Sequence, residues 1–304
     1  MRHLDNLEIG VSTHTGRVRR VNEDDFLVCA PQSVDELDQR GWFIAIADGM
    51  GGAAGGAEAS RTAVRAAARP FTNGSTQEPV ERMRRGFAEA VQEVYELSLE
   101  NPHLRDMGTT LTVVNVLADK VVLGHVGDTR CLRARGGTIE QLSVDHAVRS
   151  PDNYLTRCIG AGQKQVQADV AEYEVNEGDR FILVSDGLWG VVAHDEILRV
   201  VQALPPQEAA EHLVRSANLA GGPDNITALV VHVTRAESTG ELKEVELPAE
   251  EAHQPAFLRE PERGLVPARW PWVVLLLGLV LMVVGIAKLF LRVDLVAQLL
   301  DLLD

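Results

Sequence analysis

Residues 110–117 and 121–126 are two apolar runs rich in Val, Leu and Thr, and only a short break at Ala118, Asp119 and Lys120 separates them. Two strands so close in sequence cannot be parallel, because a parallel crossover consumes a dozen or more residues. They form an antiparallel hairpin, with Asp119-Lys120 as its expected two-residue turn. Further short runs of strand character lie at 43–47, 181–184 and 226–233. Helical periodicity is less frequent. Val80, Met83, Phe87, Val91 and Val94 recur at helical spacing, and Asn101-Pro102 closes that run. Residues 57–68 are Ala-rich and follow a glycine cluster. Pro206 opens a third helix with Ala209, Ala210, Leu213, Val214 and Ala217 facing inward. Strands are not cleanly alternated with helices, so the expected class is α+β, with antiparallel sheets and packed helices rather than a doubly wound parallel sheet.

The chain changes character near residue 235. Residues 1–235 are expected to form the globular domain. Residues 236–269 contain eight Glu, four basic residues and Pro248, Pro255, Pro261 and Pro267, the composition of an extended linker. From Trp270 to Ala287 no residue is charged, and Leu289, Phe290 and Leu291 extend the apolar run past Lys288. A spanning helix needs about 20 apolar residues. Trp270 and Trp272 stand where interfacial anchors belong, with Arg269 and Arg292 as flanks. Residues 270–291 are therefore expected to be one transmembrane helix. Residues 292–304 place Leu295, Val296, Leu299 and Leu303 on one helical face, for which an interfacial helix and a partner-binding helix both fit. The first seven residues contain no apolar signal core, so the expected location is single-pass, with the N-terminal domain cytoplasmic.

Charge narrows the partners. With 44 acidic and 29 basic residues the chain carries a net −15, which argues against binding nucleic acid. Cys29, Cys131 and Cys158 are odd in number and far apart, which disfavours a disulfide framework or a zinc site.

An Asp beside Gly or Asn recurs at the ends of the strand-like runs. Residues 43–47 lead into Asp48-Gly49, 121–126 into Gly127-Asp128, and 181–184 into Ser185-Asp186-Gly187, while Asp224-Asn225 precedes 226–233. Each alone is compatible with a plain turn. If the four meet at one edge of the fold, their mutual repulsion calls for cations. Oxygen ligands without His or Cys select Mg²⁺ or Mn²⁺ over Zn²⁺. The pattern by itself also admits a Ca²⁺ or a structural site.

Six boxes in order carry a family resemblance. They are Arg19-Arg20-Val21-Asn22-Glu23-Asp24, Asp48-Gly49-Met50-Gly51-Gly52, Gly108-Thr109-Thr110, Gly127-Asp128-Thr129-Arg130, Ser185-Asp186-Gly187-Leu188-Trp189 and Asp224-Asn225-Ile226-Thr227. Over residues 7–234 the chain resembles the bacterial type 2C, or PPM, metal-dependent protein serine/threonine phosphatases. The resemblance implies a sandwich of two antiparallel β-sheets flanked by helices, and two Mn²⁺ or Mg²⁺ ions with a third, weaker site. Asp48 would bridge the two ions with help from the Gly49 carbonyl. Asp186 and Asp224 would complete one shell, and Glu23 would reach the second ion with Asp24 in support. Asp128 would serve the third site, sharing Asp186, and Arg19 would meet the substrate phosphate. The implied partners are phosphorylated Ser/Thr proteins and an opposing Ser/Thr kinase; the apolar run at 270–291 separately adds the membrane as an expected contact.

The residues make that chemistry intelligible. Paired divalent ions activate water for in-line attack on phosphorus, so no side-chain nucleophile is required. An arginine suits a planar, bidentate oxyanion contact. Two features depart from relatives. Met50 stands where some carry a His proposed as the acid, and His14, His125 and His146 are poor replacements. The flap after Asp145 passes quickly to Leu155-Thr156-Arg157 and is trimmed. A pseudophosphatase that binds phosphoproteins, and a small-molecule phosphomonoesterase on the same fold, are the alternatives. The intact Asp48, Asp186 and Asp224 argue against the first.

Overall fold

The computed structural model describes residues 6–51, 55–73, 77–148 and 154–236, all within one unit, Met1–Leu247. The expected linker, transmembrane helix and amphipathic tail lie outside these residues. Among the described residues no helix is long and apolar enough to cross a membrane.

The expected sandwich is present. One sheet runs β1 (Leu7–His14), β14 (Ile226–Val233), β13 (Arg180–Val184), β7 (Arg130–Arg135), β8 (Thr138–Gln141). In the other, β3 (Trp42–Met50) lies between β2 (Asp24–Cys29) and β5 (Leu111–Val116), followed by β6 (Lys120–Val126) and β12 (Asp169–Glu174). Two short strands, β4 (Gly108–Thr109) and β11 (Ile159–Gly160), extend the end of β3. A separate small hairpin joins β9 (Ala147–Val148) to β10 (Tyr154–Leu155) at the trimmed flap. Every strand pairing among the described residues is antiparallel.

Three apolar layers hold the sandwich together. Ile44, Ile46, Val114, Val116, Val121 and Leu123 meet Phe181, Leu183, Leu229 and Val231 between the sheets. Their strand neighbours Phe43, Ala45, Ala47, Val113, Val122 and Val126 face outward onto helices α2 (Gly55–Thr72) and α3 (Pro79–Glu100). Ile182, Val184, Ala228 and Val230 likewise face α5 (His194–Ala203) and α6 (Pro206–Leu219). Both faces of the central strands are thus buried, which explains why they read as continuous apolar runs rather than alternating ones. Burial of each large aliphatic side chain contributes about 1.5–3 kcal/mol. Two short helices, α1 (Val34–Gln39) and α4 (Asp186–Trp189), complete the domain. Gly10 lets β1 pass directly under α6, since a Cβ there would sit 2.2 Å from the Pro206 carbonyl carbon.

Several local expectations need correction. The β5–β6 turn is centred on Ala118-Asp119, with Lys120 already in β6 and its carbonyl accepting from the Leu117 N–H at 2.9 Å. Asp48 does not end its strand. β3 continues to Met50 because Gly49 and Met50 pair with Thr109 and Gly108. Gly55 and Gly56 open α2 rather than preceding it. β1, β2, β7, β8 and β12 were not among the expected strands and emerge from the pairing itself, while α5 was missed although Ile197, Val200 and Val201 recur at helical spacing.

Candidate active site

The carboxylates gather where β2, β3, β13 and β14 end together. Asp24 lies directly opposite Asp48 in the β2–β3 register. Asp186 is the first residue of α4, immediately after β13, and Asp224 precedes β14, the strand paired with β13. Asp128 follows β6 in the turn to β7. Topology therefore brings Asp24, Asp48, Asp128, Asp186 and Asp224 to one end of the sandwich.

Their electrostatics report the crowding. Burial, followed by the charges of Asp24, Asp186, Asp128 and Asp224, pushes Asp48 well above the usual carboxylate range. Burial raises Asp24 to about 7, against hydrogen bonds from Thr227 and Ser185 that favour its charge. Asp128 rises to about 7 through burial and then the nearby Asp186 and Asp145. Asp186 is raised by burial and Asp224, with partial relief from a hydrogen bond that it accepts from the Asp48 carboxyl. Arg19 reaches this cluster from the β1–β2 connection, donating through Nη2 to Asp224 Oδ2 at 2.7 Å while half exposed. That contact is the first cause of its raised pKa.

The donor set fits divalent cations. Glu23 Oε1, Asp24 Oδ1 and Asp186 Oδ1 are buried with no hydrogen-bond partner, a costly arrangement unless a cation receives them. Gly56 packs onto Glu23, where a Cβ would come within 2.5 Å of that unpartnered Oε1. Among the described residues no three Asp, Glu, His or Cys side chains are placed together so that they could hold a metal ion. What the acidic residues share is a common end of the fold, and three of them, Glu23, Asp24 and Asp186, keep an unpartnered oxygen.

The polar residues that hold this cluster were not assigned roles from sequence, although most lie within the six boxes. Asp24 Oδ2 accepts from Ser185 Oγ at 2.8 Å and Thr227 Oγ1 at 2.6 Å, leaving only Oδ1 free for an ion. The Asp48 backbone is clamped from both sides, its N–H donating to Thr110 Oγ1 at 2.8 Å and its carbonyl accepting from Thr109 Oγ1 at 3.0 Å. Ser60 Oγ donates to the Glu23 carbonyl at 2.6 Å. Trp189 Nε1 donates to the Asp128 carbonyl at 3.0 Å. Arg130 stacks over the Trp189 ring at 3.5 Å and its Nη2 pairs with Asp145 Oδ2 at 2.6 Å.

The histidines have structural work, in line with their weak standing as acids. His125 bonds Thr112 Oγ1 at 2.8 Å and the Val144 carbonyl at 3.0 Å, and burial lowers its pKa to about 4. His146 Nδ1 accepts from the Gly127 N–H at 3.1 Å, so its Nε2 carries the proton toward Asp169 at 2.9 Å. His14 Nδ1 accepts from the Gly16 N–H at 2.8 Å.

Comparison with known proteins settles the family. The family model described as Protein phosphatase 2C matches residues 15–221. The chain belongs to the protein phosphatase 2C family. Among 2C relatives, Protein phosphatase PhpP of Streptococcus pneumoniae serotype 2 is 30% identical over 255 residues, covering 76% of this chain and 100% of that protein. The crystal structure of the Mycobacterium tuberculosis serine/threonine phosphatase PstP/Ppp superposes with a TM-score of 0.67 at 27% identity, over 75% of this chain and 98% of that one. The PstP catalytic domain in complex with two manganese ions gives a TM-score of 0.65 at 28% identity, over 74% of this chain and 97% of that one. The α+β arrangement of antiparallel sheets and helices is thus the 2C fold. All six boxes noted in the sequence begin inside residues 15–221 except the last, Asp224 to Thr227, which lies just beyond.

Proposed function

We propose that this chain hydrolyses phosphoserine and phosphothreonine in proteins, with two manganese or magnesium ions held by Asp48, Gly49, Asp186, Asp224 and Glu23. The observation that carries this reading is the convergence of five buried or half-buried Asp carboxylates, with unpartnered oxygens on Asp24, Asp186 and the adjoining Glu23, beside one half-exposed arginine. Relatives named serine/threonine phosphatases, one of them solved with two manganese ions, support it.

A divalent pair bound there would activate the attacking water and offset phosphoryl charge. The chain's own residues do the rest. Arg19 is a cation at the mouth of the site, held ready by Asp224, and an incoming phosphate competes for its guanidinium. Thr109 and Thr110 fix Asp48, and Ser185 and Thr227 fix Asp24, so the carboxylates are positioned before substrate arrives. Asp24 acts in support of Glu23, and Asp128 serves a third, weaker site with Asp186.

The proposed setting is a membrane. The uncharged run Trp270 to Ala287, after a linker rich in Glu and Pro, supports a single spanning helix at 270–291, with the 1–235 head cytoplasmic and 292–304 a short amphipathic tail. Such a tether raises the effective concentration of membrane-proximal phosphoproteins, including a Ser/Thr kinase that this enzyme would oppose.

The test is phosphate release from a phosphothreonine peptide by residues 1–235, with Mn²⁺, Mg²⁺ or chelator, for wild type and Asp186→Asn. Release that needs metal and vanishes in the variant is expected. A folded domain that releases nothing with either ion would sink the proposal. For the tether, full-length chain should partition into detergent while 1–235 stays aqueous, and equal partitioning would overturn it.

A further inference from the structure

Asn225 joins more pieces of this site than any carboxylate does. It is only 3% exposed. A side-chain amide has two donor hydrogens and a carbonyl acceptor, and all of these directions are spent on one connection. Nδ2 donates to the Thr15 carbonyl and to the Val21 carbonyl, each at 2.9 Å. Oδ1 accepts from the Glu23 N–H, also at 2.9 Å. Thr15 and Val21 are the two limbs of the β1–β2 connection, and Arg19 lies between them.

Apolar packing does not hold the connection. Val18 is 69% exposed and Val21 42% exposed, so no apolar burial orders its tip. Its other ties are polar: the Arg17 N–H to the Gly222 carbonyl at 2.8 Å, Arg17 Nε to Asn218 Oδ1 at 3.3 Å, the Gly16 N–H to His14 Nδ1 at 2.8 Å, Asn22 Nδ2 to Thr13 Oγ1 at 2.8 Å across its base, and Arg19 to Asp224 at the tip. Gly16, at φ +79°, lies so close to the backbone of Asp224 that a Cβ would fall 2.1 Å from its carbonyl oxygen. Ordering such a segment costs conformational entropy, and a buried amide that closes both limbs offsets that cost in one place.

We infer that Asn225 is a positioning residue that clips the β1–β2 connection shut, thereby setting Arg19 against Asp224 and Glu23 against Asp48. Its amide is spent on backbone groups of the connection, so it acts through them. Its neighbour Asp224 takes the Arg19 guanidinium at 2.7 Å and the Asn225 N–H at 2.8 Å, so one dipeptide fixes both the arginine's base and its tip. Other side chains cannot replace it. Asp would aim a carboxylate oxygen at two carbonyls, and Ser lacks the second hydrogen. The closure rests on hydrogen bonds alone, while its consequence for substrate rests on the phosphatase reading.

Two readouts on the full-length protein separate those claims. The variants are Asn225→Asp, Arg19→Ala and the double. By hydrogen exchange, Asn225→Asp should speed exchange across 15–23 by about tenfold or more while 226–233 is unchanged. With a phosphothreonine peptide and Mn²⁺, the same substitution should raise KM about tenfold in the wild-type background and less than about twofold when Arg19 is already Ala. Unchanged exchange at 15–23 overturns the inference. So does an equal KM factor in both backgrounds, which a merely structural loss would give. A wild type that releases no phosphate removes the phosphatase reading, and the exchange result still decides the clip. If Asn225→Asp does not fold, Asn225→Ser enters the same measurements.

Discussion

Asp128→Asn should stabilise the domain in chelator at alkaline pH, and the structure gives the size of the effect. Burial, with Asp186 and Asp145 next, lifts Asp128 from the ordinary 3.8 to about 7. A native-state pKa above the unfolded one means that the folded chain holds its proton more tightly, so stability is fully present below the unfolded value and falls as pH rises through the native one. The gap is roughly three pH units at about 1.4 kcal/mol each, an upper bound of about 4 kcal/mol at pH 8. Relaxation of the cluster and partial solvent access reduce this to about 2–4 kcal/mol. Asparagine has nearly the same shape and no charge to bury. Residues 1–235 carrying Asp128→Asn should therefore melt roughly 5–10 °C above wild type at pH 8 in chelator. The advantage should shrink to about 1–2 kcal/mol at pH 5 and vanish near pH 4. Thermal melts by circular dichroism at three pH values measure this directly. Saturating Mn²⁺ should then raise wild type more than the variant, because only wild type keeps the full carboxylate set. An Asp128→Asn domain no more stable than wild type at pH 8, or an advantage that stays constant down to pH 4, would refute the electrostatic reasoning.

Three further outcomes are expected. Gly56→Ala puts a methyl 2.5 Å from Glu23 Oε1 and 2.8 Å from the Gly49 carbonyl carbon; urea unfolding should show a loss of about 1–3 kcal/mol, and Mn²⁺ titration of activity should shift to higher concentration. Arg19→Lys keeps the charge but loses the planar fork, so KM for a phosphopeptide should rise about tenfold in steady-state assays, with a smaller change in kcat. Trp189→Phe removes the donor to the Asp128 carbonyl at 3.0 Å and weakens the platform under Arg130, and denaturant melts should show a loss of about 1–2 kcal/mol.

Much of the fold was legible where local chemistry is decisive. The β5–β6 hairpin followed from the few residues between two strands, and α3 from apolar residues at helical spacing ended by Asn101-Pro102. Strands β1, β2 and β12 were not legible, because their half-buried residues alternate weakly, and for β1 and β12 the partners also lie far away in sequence. β1 pairs with β14 across most of the domain, from Leu7 with Val233 to His14 with Ile226. The span of β3 was also misjudged. Its continuation through Asp48 to Met50 depends on β4, whose two residues have no strand signal of their own.

The sequence alone determined the candidate acids, since Asp beside Gly or Asn at a strand end is a local pattern, and it determined that a charged domain precedes an uncharged run. Only the tertiary structure decided how those acids divide their work. Asp24 spends one oxygen on Ser185 and Thr227 and keeps one. Arg19 finds Asp224 across 205 residues of chain. Asn225, one of several plausible turn residues in the sequence, closes the loop that carries that arginine. The physical reason is that a side chain's type fixes which bonds it can make, while the packing of two sheets fixes which partners come within three ångströms of it.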